Sequence, residues 1–116
     1  MRRGDVYQTR FDPVEGSEQG GTRRAVIVSH DAINLNSPTV IVVPLTSQRR
    51  SRLLRTHVEV ASTESGVDVD SIAKCEQLRV VSTARLLRSR GSLSQTTMER
   101  IDQALLRALA LNRRPL

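Results

Sequence analysis

The sequence predicts a mostly β fold: a small barrel with one C-terminal amphipathic helix packed on it. Three observations predict it. Short β-branched runs are punctuated by Gly and Pro, a 3.6-residue apolar period appears clearly only near the C-terminus, and no repeated strand–helix unit is present. The 116 residues suit a single domain spanning 1–116, without repeat, low-complexity segment or linker.

The elements follow in order. Asp5 to Phe11 reads as a strand stopped by Pro13. Residues 12–22 form a loop in which Gly16, Gly20 and Gly21 permit backbone conformations that other residues resist. Ala25-Val26-Ile27-Val28 is a continuous apolar run, expected as a strand buried on both faces. Asp31 to Asn36 reads as a helical turn or loop closed by Ser37-Pro38, and Thr39 to Leu45 as a second buried strand with Thr46 at its end. Residues 46–56 are polar and basic and read as a loop. His57-Val58-Glu59-Val60 alternates, so Val58 and Val60 face a core while His57 and Glu59 face away. Ser62 to Gly66 is a turn, and Val69 to Cys75 and Glu76 to Ser82 are strand-like, with Leu78 and Val80 in alternation. Arg85 to Arg88 is expected as a short helix. Ser94 is an N-cap, after which Met98, Ile101, Leu105, Ala108 and Leu109 repeat at spacings of three and four on one helical face.

Composition narrows the function. The formal net charge is +6, and all but one of the 18 Lys and Arg residues are Arg, the exception being Lys74. Such a charge fits an anionic partner, nucleic acid or an acidic peptide. No run approaches the roughly 18 apolar residues of a spanning helix, and Met1-Arg2-Arg3-Gly4-Asp5 does not open a secretory signal. The expected location is therefore cytoplasmic, with no membrane association. The single Cys75 excludes an internal disulfide, and its alternation with Ala73 points to an inert buried thiol. Asp68 and Asp70 read as a solvated strand face rather than a metal site, so no metal and no cofactor are expected. His30 and His57 could serve as a ribonuclease acid–base pair, but the simpler reading is two edge histidines.

Two polar clusters abut the ends of buried strands, where functional groups are often held. One is Gly16-Ser17-Glu18-Gln19-Gly20-Gly21-Thr22-Arg23-Arg24, the other Val43-Pro44-Leu45-Thr46-Ser47-Gln48. The residues alone leave two readings open for each: a functional cluster, or a flexible glycine loop with solvated arginines and a hydroxyl-rich turn.

These segments also carry a resemblance. Arg3-Gly4-Asp5-Val6-Tyr7, Asp12-Pro13-Val14-Glu15-Gly16-Ser17-Glu18-Gln19-Gly20-Gly21, Ser37-Pro38-Thr39, Val43-Pro44-Leu45-Thr46, Thr56-His57-Val58-Glu59-Val60 and Glu76-Gln77-Leu78-Arg79 are together similar to the MazF/PemK toxin ribonucleases, over nearly the whole chain. The resemblance implies an SH3-like barrel of the CcdB/MazF/PemK type and a homodimer that cuts single-stranded RNA at a short sequence without a metal. The products would carry a 2′,3′-cyclic phosphate and a 5′-hydroxyl. It also implies a cognate, MazE-like antitoxin whose acidic segment fills the RNA groove. By position, the catalytic Arg falls on Arg23, the catalytic Thr on Thr46 and the loop Glu on Glu18, while Glu76 and Gln77 match a pair near the groove. Substrate contacts are expected from Ser17, Gln19, Gly20, Gly21, Arg24, Ser47, Gln48, Glu76, Gln77 and Arg79. The chain departs from the family in carrying Arg24 where Pro usually follows the catalytic Arg, and Gln8 where an aromatic often follows Tyr7. Alternation places Arg23 and Arg24 on opposite faces, so only one can address the substrate.

With only Tyr7 and Phe11 as aromatics, sequence-blind stacking is a poor mode of binding, and recognition must rest on arginine–phosphate contacts and base-edge hydrogen bonds. Two other classes remain as alternatives: a non-catalytic CcdB-like binder of gyrase, and a barrel that binds nucleic acid without cutting it.

Overall fold

In a computed structural model, the structure describes residues 1–12, 21–47, 52–64 and 66–112. Seven antiparallel strands and two helices follow in chain order: β1 (Asp5–Arg10), β2 (Thr22–Ile27), α1 (Asp31–Asn36), β3 (Thr39–Thr46), β4 (His57–Val60), β5 (Ser71–Lys74), β6 (Arg79–Ser82), β7 (Leu86–Ser92) and α2 (Gln95–Ala108). The strand order is β4-β5-β3-β2-β1-β7, with β6 also on β3. Among the described residues the pairing path ends at β4 and at β7, so the expected mostly β fold with its terminal helix is present but the barrel is not closed.

The central strand explains this layout. β3 pairs β2 along one side, while its other side is divided, β6 taking Thr39 to Val42 and β5 taking Leu45 and Thr46. The β-branched run Thr39-Val40-Ile41-Val42-Val43 can pack on both pleated faces, which is what a strand covered on both sides requires. On one face Val6, Val26, Val43, Leu45, Val58, Val60 and Ala73 pack against Met98, Ile101 and Ala104 of α2. On the other, Phe11, Ala25, Ile27, Val40, Val42 and Val81 form a second cluster, joined at its edge by Tyr7 and Leu86.

Helix α2 begins where the sequence places it. The Ser94 Oγ accepts from the Thr97 N–H at 3.2 Å. Glu64 clamps the same turn, accepting from the Ser94 N–H at 2.7 Å, the Ser94 Oγ at 3.0 Å and the Thr97 Oγ1 at 3.1 Å. The buried stripe is Thr97, Met98, Ile101 and Ala104, with Leu105 partly covered, whereas Leu109 is exposed.

Two expectations are corrected. Arg85 to Arg88 is not a helix: one 3₁₀ turn, Thr83–Arg85, leads into β7, which pairs β1 from Asp5 to Thr9. As an edge strand with two register shifts and a mostly exposed face, β7 shows no clean alternation for a sequence reading to find. Glu76 to Ser82 is likewise not one strand. A 3₁₀ turn at Cys75–Gln77 resets the phase of β6, so Val81 is buried and Val80 is 59% exposed. Among the described residues, no helix is long and apolar enough to cross a membrane.

Candidate active site

The register of the sheet brings the two strand-end clusters together. Ala25 lies opposite Pro44, Val26 opposite Val43 and Ile27 opposite Val42. Both strands continue past these pairs, β2 back to Thr22 and β3 on to Thr46. The ladder itself ends at Ala25–Pro44; extended by two places on the same alternation, it would set Arg23 level with Thr46. Directly opposed residues share a face, and Arg23 is in phase with Ala25 and Ile27 of the second cluster. On the flanking strands Thr9 lies opposite Arg23, Ile72 opposite Thr46, and Glu59 opposite Ile72. A row across one face therefore reads Thr9, Arg23, Thr46, Ile72, Glu59. Thr46 is 6% exposed and Arg23 half-buried, so a donor pair sits at the margin of packed structure, where a guanidinium and a hydroxyl can be held still.

Arg79 joins this face from β6, opposite Val42. Its Nη1 donates to the Phe11 carbonyl at 3.3 Å, and its guanidinium carbon lies 5.4 Å from the centre of the Phe11 ring. The ends of the 12–22 loop are tied there as well. The Phe11 N–H donates to the Gly21 carbonyl at 2.8 Å and the Gly21 N–H to Asp12 Oδ1 at 2.9 Å. Gly21 has φ +71°, a left-handed conformation that glycine adopts without strain.

Arg24 goes the other way. It is in phase with Val26 of the helix-side core, and its Nη2 donates to the Ser71 Oγ at 2.9 Å. Among the described residues, its Nη1 is buried without a hydrogen-bond partner. Burial lowers its pKa, a shift opposed by the Asp68 carboxylate and assisted by Arg90. Arg23 and Arg24 therefore separate as alternation requires, and Arg24 is not brought to the face that carries Thr46.

Across residues 2–109 the chain matches the family described as PemK-like, MazF-like toxin of type II toxin-antitoxin system. It belongs to that family. Among solved structures, it is similar to an endoribonuclease in complex with its cognate antitoxin from a Mycobacterial species, at 25% identity and a TM-score of 0.79, with 96% of each chain covered. It is also similar to MazF (Form-I) from Deinococcus radiodurans, at 21% identity and a TM-score of 0.81, covering 95% of this chain and 96% of that one. A third similar structure is an endoribonuclease from a Mycobacterial species, at 24% identity and a TM-score of 0.77, covering 95% of this chain and 91% of the other.

In this PemK-like toxin the remaining candidates divide by place. Ser17, Glu18, Gln19, Gly20 and Gln48 lie outside the described residues. Ser47 is exposed beside Thr46, and Gln77 is half-buried in the 3₁₀ turn. Both oxygens of Glu76 are engaged: Oε1 accepts from the Thr56 Oγ1 at 2.8 Å, and Oε2 lies 3.0 Å from the His57 Nε2. The His57 Nδ1 accepts from the Leu54 N–H at 3.2 Å, which leaves Nε2 as the proton-bearing nitrogen facing Glu76. Burial raises the Glu76 pKa, but hydrogen bonds from His57, the backbone and Thr56 outweigh it and hold the carboxyl below the usual value.

His30 has a different task, its Nδ1 accepting from the Ala32 N–H at 3.0 Å to cap α1. The histidines are thus fixed in two separate structural roles. Burial pushes the Cys75 thiol up to about 12, as fits an inert core residue. Among the described residues, no group of three or more His, Cys, Asp or Glu could hold a metal ion. An open depression of about 880 Å³ adjoins the β4–β5 end of the row, lined by Glu59, Asp68 and Asp70 among others. Its walls carry Glu59 and Asp70, with Asp68 paired to Arg90, and Arg100 at the side, and the arginines of the row are the better place for phosphate. By the period-two alternation of β1 and β5, Thr9 and Lys74 share this face.

Proposed function

We propose that this toxin is a metal-independent, sequence-selective endoribonuclease that cleaves single-stranded RNA through attack by the 2′-hydroxyl. The supporting observation is the β2–β3 register, whose extension past Ala25–Pro44 brings Arg23 level with Thr46 on one sheet face, in a chain that belongs to this toxin family. The fold neighbours named as endoribonucleases share the architecture almost end to end.

The reaction forms a bond from the 2′-oxygen to phosphorus and breaks the bond from phosphorus to the 5′-oxygen. The products are a 2′,3′-cyclic phosphate and a 5′-hydroxyl. Charge that builds on the nonbridging oxygens needs fixed donors. The guanidinium of Arg23 presents two parallel N–H groups to those oxygens, and the Thr46 hydroxyl adds a third donor. Arg stays protonated at ordinary pH, with a pKa above about 12, so charge stabilisation is its main task rather than base catalysis. Glu18 is the carboxylate assigned to proton transfer or base recognition. Arg79, opposite Val42 on the same face, and Gly21, Ser47 and Gln77 supply backbone and base-edge contacts, with Ser17, Gln19, Gly20 and Gln48. Glu76 acts at one remove, by holding Thr56 and His57. The partners are single-stranded RNA, a MazE-like antitoxin presenting an acidic segment to the same cations, and a second copy of the chain. The setting is cytoplasmic.

The deciding experiment is cleavage of a long single-stranded RNA in excess EDTA, with the ends mapped, by wild type, Arg23→Ala and Arg24→Ala. Discrete cuts ending in cyclic phosphate, lost in Arg23→Ala and kept in Arg24→Ala, are the expected result. Loss in Arg24→Ala alone would move the site to the opposite face. A folded wild type that cuts none of several RNAs would favour a gyrase-type binder.

A further inference from the structure

Lys74, the single lysine of the chain, closes β5 opposite His57. The β3–β5 register runs Leu45 to Ala73 and Thr46 to Ile72. Carried one place on, it sets Lys74 beside Pro44. Proline has no N–H to donate, and here β3 passes from β5 to β6, whose Arg79 lies opposite Val42. Ala73 packs in the helix-side core, so Lys74 belongs by alternation to the other face, with Ile72 and Thr46. It is half-buried.

Three cations thus flank the second half of β3 on one face. Arg23 is level with Thr46, Lys74 with Pro44 and Arg79 with Val42. With about 3.3 Å per residue along a strand and about 4.8 Å between strands, the Cα atoms of Lys74 and Thr46 are roughly 8 Å apart. That separation lies within the reach of an extended lysine side chain, which can therefore hold the next phosphate along a strand whose scissile phosphate is addressed by Arg23 and Thr46. A compact ammonium with three rotatable donors suits that position. It holds a phosphate without the planar fit a guanidinium demands, so it tolerates backbone variation where no bond is broken.

We propose that Lys74 is a substrate-binding residue of this toxin, its ammonium holding the RNA phosphate adjacent to the one addressed by Arg23 and Thr46. The assignment rests on the ribonuclease reading above. The test compares wild type, Lys74→Gln, Lys74→Arg and Arg88→Gln. Arg88 is exposed and opposite Gln8, on the face away from the site, and its substitution makes the same change in net charge. Binding of a mixed-sequence, single-stranded 2′-O-methyl oligoribonucleotide, which has no free 2′-hydroxyl to attack, is followed across a salt series. Cleavage of unmodified RNA is timed in parallel, and thermal midpoints check folding.

Lys74→Gln is expected to reduce the slope of log affinity against log salt by about 0.7, the release expected for one single-strand phosphate contact. KM should rise about tenfold with kcat little changed, the mark of uniform binding. Lys74→Arg should restore the slope, and Arg88→Gln should leave it at the wild-type value. An unchanged slope in Lys74→Gln, with wild type binding and cutting RNA, would overturn the role of Lys74 and leave the ribonuclease reading standing. The same loss in Arg88→Gln would reduce the effect to net charge and also overturn it. A wild type that neither binds nor cuts RNA would overturn both.

Discussion

Arg23 and Arg24 are chemically identical neighbours with opposite surroundings. One falls, by the extended β2–β3 register, on the face of Thr46, while the other is bonded to Ser71 behind the sheet, with one nitrogen buried and unpaired among the described residues. Chemistry at this scale is decided by strand phase. If Thr46 donates to the charge that develops during cleavage, Thr46→Val should lower the rate by about 10²–10³ while leaving RNA affinity near wild type, as single-turnover cleavage and binding would read. Glu76 gives a second prediction. Its folded-state pKa is depressed below the ordinary value of 4.5, so the stability it adds is complete above that value and is lost as pH falls through the folded pKa. Glu64 titrates with the same sign, through its bonds from Ser94 and Thr97. Thermal midpoints should therefore fall below about pH 4.5 in wild type, fall less steeply in Glu76→Gln, and least in the Glu64→Gln, Glu76→Gln pair. Identical slopes in all three would mean that these carboxylates do not govern acid stability.

At the scale of the element, α2 and β7 differ in how they are specified. The helix carries its own cap and a period of three and four. Ile101, fully buried between helix and sheet, should cost about 2–5 kcal/mol when cut to Ala, against about 1 kcal/mol for the cap removed by Ser94→Ala. Denaturant midpoints would rank them. β7 carries no such signature and is defined by what it pairs with. Gly66 shows how tightly the neighbouring loop is held against it. At φ +84°, a Cβ there would lie 3.0 Å from the backbone carbon and oxygen of Arg90. Gly66→Ala should therefore destabilise the fold by more than about 1 kcal/mol, combining a strained φ with a backbone clash. This contact is invisible in the local sequence, because Gly66 and Arg90 are far apart along the chain and meet only in the fold, where Asp68 also bonds Arg90 and Glu64 bonds Ser94. The corrected helix at 85–88 and the misphased Val80 have the same origin. Short 3₁₀ turns reset the alternation, and a half-exposed edge does not impose one.

At the scale of the molecule, the sheet is open, and several large apolar side chains remain uncovered, among them Leu35 at 71%, Val80 at 59% and Leu87 at 53% exposure. A small fold with a modest core gains by covering such surface in a partner. The expected mass in solution at micromolar concentration is therefore twice the 12.9 kDa of one chain, read by light scattering. A monomer at every concentration would count against the dimer.

By itself the sequence determined the mostly β class, the terminal helix with its cap and the Met98–Ile101 part of its inner face, the doubly buried strands, the inert thiol and the family resemblance. These features are written in short-range patterns: a period of two or of 3.6, a capping serine, a run of β-branched residues. Only the tertiary structure decided which residues meet. The level of Arg23 with Thr46, the withdrawal of Arg24 to Ser71, the engagement of Glu76 by His57 and Thr56, and the place of Lys74 beside Pro44 all depend on strand register. Register is a relation between distant segments, set by turns, bulges and the packing of two faces at once. No local pattern encodes it.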